Sequence, residues 1–213
     1  MKKEIAILGS TGSIGTTCLD IFKNNKNKFN IVLLSANSNY PLICKQIKVF
    51  KPQYYIISNK LVYNKVKNRF KNKKVKIYND FSDLNFKKKF DITVSSIVGI
   101  AGLSPTIKFV KYTKKILLAN KESIICGWHL IKNLSKLHNT KIIPVDSEHF
   151  SIDQLTKNYK DKDIEKIYLT ASGGPFLSKS LKSFKWIKAS DAIKHPRWKM
   201  GKKNIDRFVK FDE

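Results

Sequence analysis

The strongest constraint on the fold is a glycine-spaced turn, Gly9-Ser10-Thr11-Gly12-Ser13-Ile14-Gly15, set between an apolar run and an amphipathic stretch. Glu4 to Leu8 reads as a short buried strand and Ser13 to about Phe22 as a helix, so the turn joins a strand to a helix. The same alternation continues along the chain. Phe29 to Ala36, Tyr54 to Ile57, Lys74 to Ile77, Asp91 to Ile97, Lys115 to Leu118 and Lys141 to Val145 read as strands. Pro41 to Val49, Lys60 to Phe70, Ser104 to Lys111 and Ile125 to Leu137 carry helical spacing, with Pro41 and Pro105 at helix starts, where a missing N–H costs little. Strands that are unbroken hydrophobic runs, separated by helices, belong to a parallel sheet buried on both faces. The expectation is an α/β protein: a Rossmann-like parallel sheet with helices on both faces, plus the opening part of a second, α+β domain. A change of texture near Pro144 puts the boundary at residues 1–145 and 146–213. Beyond it, Ile164 to Thr170 reads as one more strand, followed by a basic, Ser-rich stretch.

Composition excludes several classes. No apolar run approaches the roughly 20 residues that span a bilayer. The first apolar run, Ile5 to Leu8, is shorter than the about 7–15 residues of a signal-peptide core. A cytoplasmic chain without a membrane partner is expected. Cys18, Cys44 and Cys126 are widely spaced and read as reduced packing thiols. The formal net charge of +26 invites a nucleic-acid reading. Lys, Asn and Ile dominate, however, and all three have A/T-rich codons. With no nucleic-acid motif present, the charge reads as compositional and no specific nucleic-acid partner is expected. A basic nucleic-acid-binding module stays as an alternative, to be told apart by binding that survives high salt.

Chemistry enters at two places. A glycine-rich turn opening a helix lets a pyrophosphate approach the backbone and meet free N–H groups and the positive end of the helix dipole. The turn from Gly9 to Gly15 is therefore a candidate dinucleotide-binding loop. The second strand ends in Asn37-Ser38-Asn39 instead of the acid that commonly binds ribose hydroxyls, which favours NADP over NAD. The second place is Asp146-Ser147-Glu148-His149, after the strand Lys141 to Val145. On extended backbone Asp146 and Glu148 share a face, and oxygen ligands suit Mg2+ or Mn2+. An exposed DxE in a helix N-cap turn is the other reading, and His149 by itself is an ordinary solvated or packed histidine.

Taken together, GSTGSIG (9–15), IVGIAGLSPT (97–106), LLANKES (117–123), PVDSEH (144–149), ASGGPF (171–176) and HPRWKMGKK (195–203) resemble, in order, the blocks of the 1-deoxy-D-xylulose 5-phosphate reductoisomerases. The resemblance implies an NADPH- and divalent-metal-dependent oxidoreductase and isomerase of isoprenoid-precursor synthesis, acting on a small sugar phosphate and homodimeric at full length. It implies that Thr11, Gly12, Ser13 and Ile14 hold the pyrophosphate and that Asn37, Ser38 and Asn39 form the ribose-phosphate corner. Asn37 departs from the Gly usual there. Asn120 and Glu122 are implied at the nicotinamide end, with Gly201 closing over the cofactor. Lys121, Ser147, Ser172 and His195 are implied on the substrate, Asp146 and Glu148 on the metal, and Trp198 in a flap.

The tail departs from the family. After Lys203 the relatives carry a segment like SxDSATxMNKxxE, with a further carboxylate ligand, whereas this chain reads Asn204-Ile205-Asp206-Arg207-Phe208-Val209-Lys210-Phe211-Asp212-Glu213. If Lys202-Lys203-Asn204 is written AAA-AAA-AAT and the serine codons are chosen to fit, removing one A lets the tail be read as much of that motif. The expectation is a frameshifted, truncated product with weak or absent turnover. Another NADP-dependent Rossmann dehydrogenase, of the kind using a nucleophilic Cys, is the remaining alternative; Cys126 is the thiol near a motif.

Overall fold

In the computed structural model, residues 1–82, 84–168, 174–176 and 178–192 are described. Seven strands form one sheet in the order β4-β3-β2-β1-β5-β6-β7: β1 (Lys3–Leu8), β2 (Phe29–Ala36), β3 (Tyr54–Ile57), β4 (Lys76–Tyr78), β5 (Phe90–Ser95), β6 (Thr113–Leu118) and β7 (Lys141–Pro144). Every pairing is parallel. The order reverses direction at β1, so the crevice between β1 and β5 is the topological switch point where open α/β sheets bind ligands. The Rossmann-like parallel sheet foreseen from the alternation is therefore present.

Both faces are covered, which is why the strands read as continuous apolar runs. On one face Ile5, Ile7, Leu34, Tyr55 and Ile57 pack under α1 (Ser13–Asn24), α2 (Tyr40–Phe50) and α3 (Lys60–Arg69), through Leu19, Phe22, Ile43, Ile47 and Val66. On the other, Ala6, Leu8, Leu33 and Ile56 meet Phe90 and Phe109, the latter from α4 (Leu103–Val110). No helix links β4 to β5 among the described residues. Its place over the sheet is taken by aromatic packing: Phe86 lies 5.0 Å from Phe90, 5.1 Å from Tyr54 and 5.1 Å from Tyr112, ring centre to ring centre. Edge-on contacts of this kind add about 0.5–1.5 kcal/mol each beyond area burial. A third cluster, Val110, Ile116 and Leu118, packs with Ile124 and Leu134 of α5 (Lys121–Leu137).

One irregularity sets the facing of β2. Ile5 pairs with Ile31 but Ala6 with Leu33, so Val32 is an extra residue in the ladder. The bulge inverts the alternation: Val32 and Leu33 both face the aromatic side, while Ile31, Leu34 and Ala36 face α1 and α2.

By compactness the chain divides into Met1–Lys160 and Asp161–Glu213. The first unit includes α6 (Ser147–Thr156), which follows β7 directly. The strand foreseen at Ile164 to Thr170 is not found in its described part, residues 164–168, which carry no regular structure. Ile167 and Tyr168 are exposed there, and a strand without a neighbour to pair with has no ladder to stabilise it. Cys18 is half-buried and Cys44 buried, as packing thiols should be, but Cys126 is exposed. Among the described residues no helix is long and apolar enough to cross a membrane.

Asp91, at the start of β5, accepts from the Glu4 backbone N–H at 2.8 Å and pairs with Lys114 at 2.8 Å, fastening β1 and β6 to the middle of the sheet. The Lys114 ammonium first, and the Glu4 N–H second, hold its carboxyl below the usual carboxylate range. A carboxylate with a depressed folded pKa stabilises the fold above its unfolded value of about 3.9, and that contribution is lost as pH falls through the folded value. Urea midpoints should therefore be higher for the native chain than for Asp91→Asn at pH 7, and the gap should close as the pH is taken below about 4. A gap unchanged by acid would show that the pair contributes nothing through its charge.

Candidate functional site

Because every strand runs the same way, the turns that leave their carboxyl ends gather along one edge of the sheet. Gly9–Gly15 leaves β1, Asn37–Asn39 leaves β2, Ile97–Gly102 leaves β5, Asn120–Glu122 leaves β6 and Asp146–Glu148 leaves β7. The candidate residues 9, 11–14, 37–39, 120–122, 146 and 148 are thus brought to one edge. Ser147 opens α6 there. Ser172, His195, Trp198 and Gly201 lie outside the described residues.

The glycine turn is seated by backbone contacts. Gly9 has φ +87°, and a Cβ on it would lie 2.9 Å from the carbonyl of Ser96 and the nitrogen of Ile97. Its N–H and that of Ser10 both donate to the Ser35 carbonyl, at 3.1 and 2.7 Å. Gly15 packs against the turn from inside the helix: a Cβ there would collide with the Gly9 carbonyl and lie 2.7 Å from Ser10 Cα. Gly12 is different, since a Cβ would make only an ordinary 3.5 Å contact. Beneath the turn, Ser10, Gln46 and Tyr55 form a buried network. The hydroxyls of Ser10 and Tyr55 both donate to Gln46 Oε1, at 2.7 and 2.6 Å, and Gln46 Nε2 donates to the Ser10 carbonyl at 2.8 Å. Burial pushes the Tyr55 phenol up, so it stays a donor. Polar residues inside apolar strands and helices were the signal for this network, and no motif carries it.

Helix α1 starts at Gly12 without a side-chain cap and with no acid in its first turn. Its first internal bond is from the Thr16 N–H to the Gly12 carbonyl, so the N–H groups of Ser13, Ile14 and Gly15 precede the ladder. Helices α2, α3, α5 and α6 are all capped by side chains, from Asn39, Asn59, Asn120 and Asp146. The glycine turn thus leaves bare the donors that an anion would take. At the end of β2, Asn37 and Ser38 are exposed, while Asn39 spends its carbonyl on the Leu42 N–H at 3.2 Å.

Just past β6, Asn120 is only 3% exposed. Its amide donates to the carbonyls of Ile97 and Gly99, the second at 2.8 Å, and its oxygen accepts from the Ser123 N–H at 2.7 Å. Lys121 and Glu122 follow, half-buried, in the first turn of α5.

The carboxylate pair departs from extended-face geometry. Pairing ends where the Val145 N–H donates to the Leu118 carbonyl at 3.1 Å. Asp146 is the N-cap of α6, and Glu148 lies in its first turn. Of the two arrangements that the sequence allowed, the chain adopts the cap, because the first helical N–H groups need an acceptor. Asp146 Oδ1 accepts from the His149 N–H at 2.9 Å and lies 2.7 Å from His149 Nδ1. Burial pushes its carboxyl up, but the His149 N–H and ring together outweigh that and leave it lowered. Its other oxygen, Oδ2, is buried with no hydrogen-bond partner. Among the described residues no three His, Cys, Asp or Glu side chains cluster as a metal site.

The reversed strand order, the glycine turn on β1 and the turns gathered at the carboxyl ends of the strands define a doubly wound, Rossmann-like protein. A family model for 1-deoxy-D-xylulose 5-phosphate reductoisomerase matches residues 5–127, and one for the C-terminal domain of that enzyme matches residues 142–207. The chain belongs to the 1-deoxy-D-xylulose 5-phosphate reductoisomerase family. It is 49% identical over 205 residues to the reductoisomerase of Pelagibacter ubique, covering 94% of this chain and 53% of that protein. To the Clostridium acetobutylicum reductoisomerase it is 43% identical over 206 residues, covering 94% and 54%. The chain spans about half the length of the curated relatives it matches. Its fold is similar to the Zymomonas mobilis reductoisomerase solved with NADPH, with a TM-score of 0.79, 28% identity and coverage of 92% and 52%. A reductoisomerase solved with NADPH, fosmidomycin and magnesium gives a TM-score of 0.78, 32% identity and coverage of 95% and 53%.

The two glycines predict opposite outcomes. Gly15→Ala should lower stability by about 1–3 kcal/mol, the usual cost of forcing atoms into a packed site. Gly12→Ala, at an ordinary φ of −78° and with room for a methyl group, should stay within about 1 kcal/mol of the parent. Urea midpoints of the two variants check this, and equal losses would mean that the turn is not seated as described.

Proposed function

We propose that this chain supplies the NADPH-binding part and the opening of the catalytic part of a reductoisomerase, with residues 1–145 as the first and 146–213 as the start of the second. The family models, which match residues 5–127 and 142–207 separately, support that division. The reaction is the rearrangement and reduction of 1-deoxy-D-xylulose 5-phosphate to 2-C-methyl-D-erythritol 4-phosphate. The observation that carries the cofactor reading is the uncapped start of α1. The N–H groups of Ser13, Ile14 and Gly15 precede the helix ladder and no side chain caps them, so a pyrophosphate can take them.

The residues fit the nucleotide and, in part, the metal. Asn37 and Ser38 at the end of β2 offer neutral donors to a 2′-phosphate, where a carboxylate would repel it. Glu122 and the backbone of Asn120 lie at the β6 end of the crevice, the place for the nicotinamide. The orphaned Asp146 Oδ2, with Glu148 two residues on in the first turn of α6, suits a hard divalent cation that takes oxygen ligands. When bound, that cation supplies Lewis acidity to the ketose oxygens. Lys121 meets the anionic substrate from the first turn of α5, and Ser147 from the first turn of α6. Ser172, His195 and Trp198 complete the substrate side in this reading. The sheet edge holds substrate and nicotinamide in fixed relation, which is the protein's share of a cofactor-borne reduction.

Fluorescence titration of the 213-residue chain should show NADPH binding tighter than NADH, and equal or tighter NADH binding would sink the 2′-phosphate assignment. The reaction itself is tested by putting this chain in place of the matching segment of the Pelagibacter ubique relative. That chimera should oxidise NADPH when given 1-deoxy-D-xylulose 5-phosphate and Mg2+ or Mn2+. Asp146→Asn should lower its rate by roughly 100-fold or more, since a Lewis-acid site contributes several kcal/mol, while circular dichroism stays unchanged because Asn also caps helices. An Asp146→Asn chimera with full activity would remove Asp146 from the metal site.

A further inference from the structure

We infer that the Asn120 side chain is a positioning latch: it ties the Ile97–Gly99 turn to the start of α5 and so fixes Lys121 and Glu122 relative to the glycine turn. The inference rests on the cofactor reading above for its functional meaning, but its geometry is independent of that reading. The Asn120 amide has two donors, and both are engaged, one on the Ile97 carbonyl and one on the Gly99 carbonyl, while its oxygen holds the Ser123 N–H. With Asn120 only 3% exposed and its amide fully engaged, its polar atoms are directed into the protein, where they hold the turn.

The surroundings are shaped for that amide. Gly102 lies against it, and a Cβ there would collide with Asn120 Nδ2 and stand 3.2 Å from its Cγ. Gly99, one of the two acceptors, has φ +74°, a conformation that glycine adopts freely. The turn that Asn120 grips continues on its other side into the wall against which the glycine turn is seated. Ser96 donates to the Leu8 carbonyl through its N–H at 2.9 Å and its hydroxyl at 2.8 Å, and the Ala119 N–H donates to the Ser95 carbonyl at 3.0 Å. Gly9, Ser96–Ile97, Asn120 and Lys121 therefore form one continuous line of contacts from the pyrophosphate end of the crevice to its β6 end. Remove the amide donors and the two ends lose their common reference, although each keeps its own helix.

Asn120→Asp separates this role from simple capping. Aspartate keeps an oxygen for the Ser123 N–H and caps helices as well as asparagine does, but it sets a carboxylate oxygen against two carbonyls. Asn120→Ala removes cap and latch together. Each variant is titrated with NADPH and with adenosine 2′,5′-bisphosphate, which reaches only the glycine turn and ribose corner, and amide hydrogen exchange is followed at residues 97–102 without ligand. Both variants should bind NADPH about tenfold or more weakly, hold the bisphosphate within about threefold of the parent, and exchange faster at 97–102. Parent-like exchange and NADPH affinity in Asn120→Asp would overturn the latch and leave a cap. Equal loss of both ligands would overturn it in favour of general destabilisation. Failure of the parent to bind NADPH would instead sink the cofactor reading, and exchange at 97–102 would still decide the latch.

Discussion

Gly9 is held from both sides of the switch point, and the other turns at the carboxyl ends of the strands take their position from that seating. Its N–H donates to the Ser35 carbonyl on the β2 side, and its backbone lies flat against Ser96 and Ile97 on the β5 side. Strands β2 and β5 flank β1 in the sheet, so this one residue spans the place where the strand order turns. A side chain there would force β1 and β5 apart. The left-handed φ and the close approach make the same demand, and glycine alone meets both.

Under that seat lies a polar network in the apolar layer. Ser10, Gln46 and Tyr55 are each at most 2% exposed, and together they satisfy one another's donors and acceptors. Such networks specify one arrangement when complete and are costly when broken, because an unpaired buried polar group costs about 1–3 kcal/mol. Here the network joins the first residue after Gly9 to α2 and β3. The turn's position is fixed against the layer of helices as well as against its neighbouring strands.

How much of this was legible in the sequence depended on how local its cause was. Phe29 to Ala36 and Tyr54 to Ile57 are found where their apolar runs put them, because a strand buried on both faces has no other pattern. The bulge at Val32 left no mark, since Val32 and Leu33 are apolar whichever face they take. Ile164 to Thr170 has the composition of a strand, yet its described part has no ladder, for pairing is a property of neighbours. Asp146 and Glu148 follow a strand, but the unfilled N–H groups of α6 decided the conformation of Asp146. Asn120 sits in a recognisable motif, while its amide partners at Ile97 and Gly99 are over twenty residues away and come near only through β5–β6 pairing.

The Ser96 hydroxyl that supports Leu8 comes from 88 residues further along the chain. During synthesis at about 5–20 residues per second, β1 and the glycine turn wait roughly 4–18 seconds before that partner exists. Until then β1 can pair only with β2, and its other edge is an open row of backbone donors and acceptors beside apolar side chains. An early-emerging strand with a late-arriving neighbour leaves the nascent chain exposed to intermolecular pairing during that interval. The glycine turn is thus among the first pieces made, yet it waits for a partner 88 residues on, a kinetic cost of placing it where the strand order reverses.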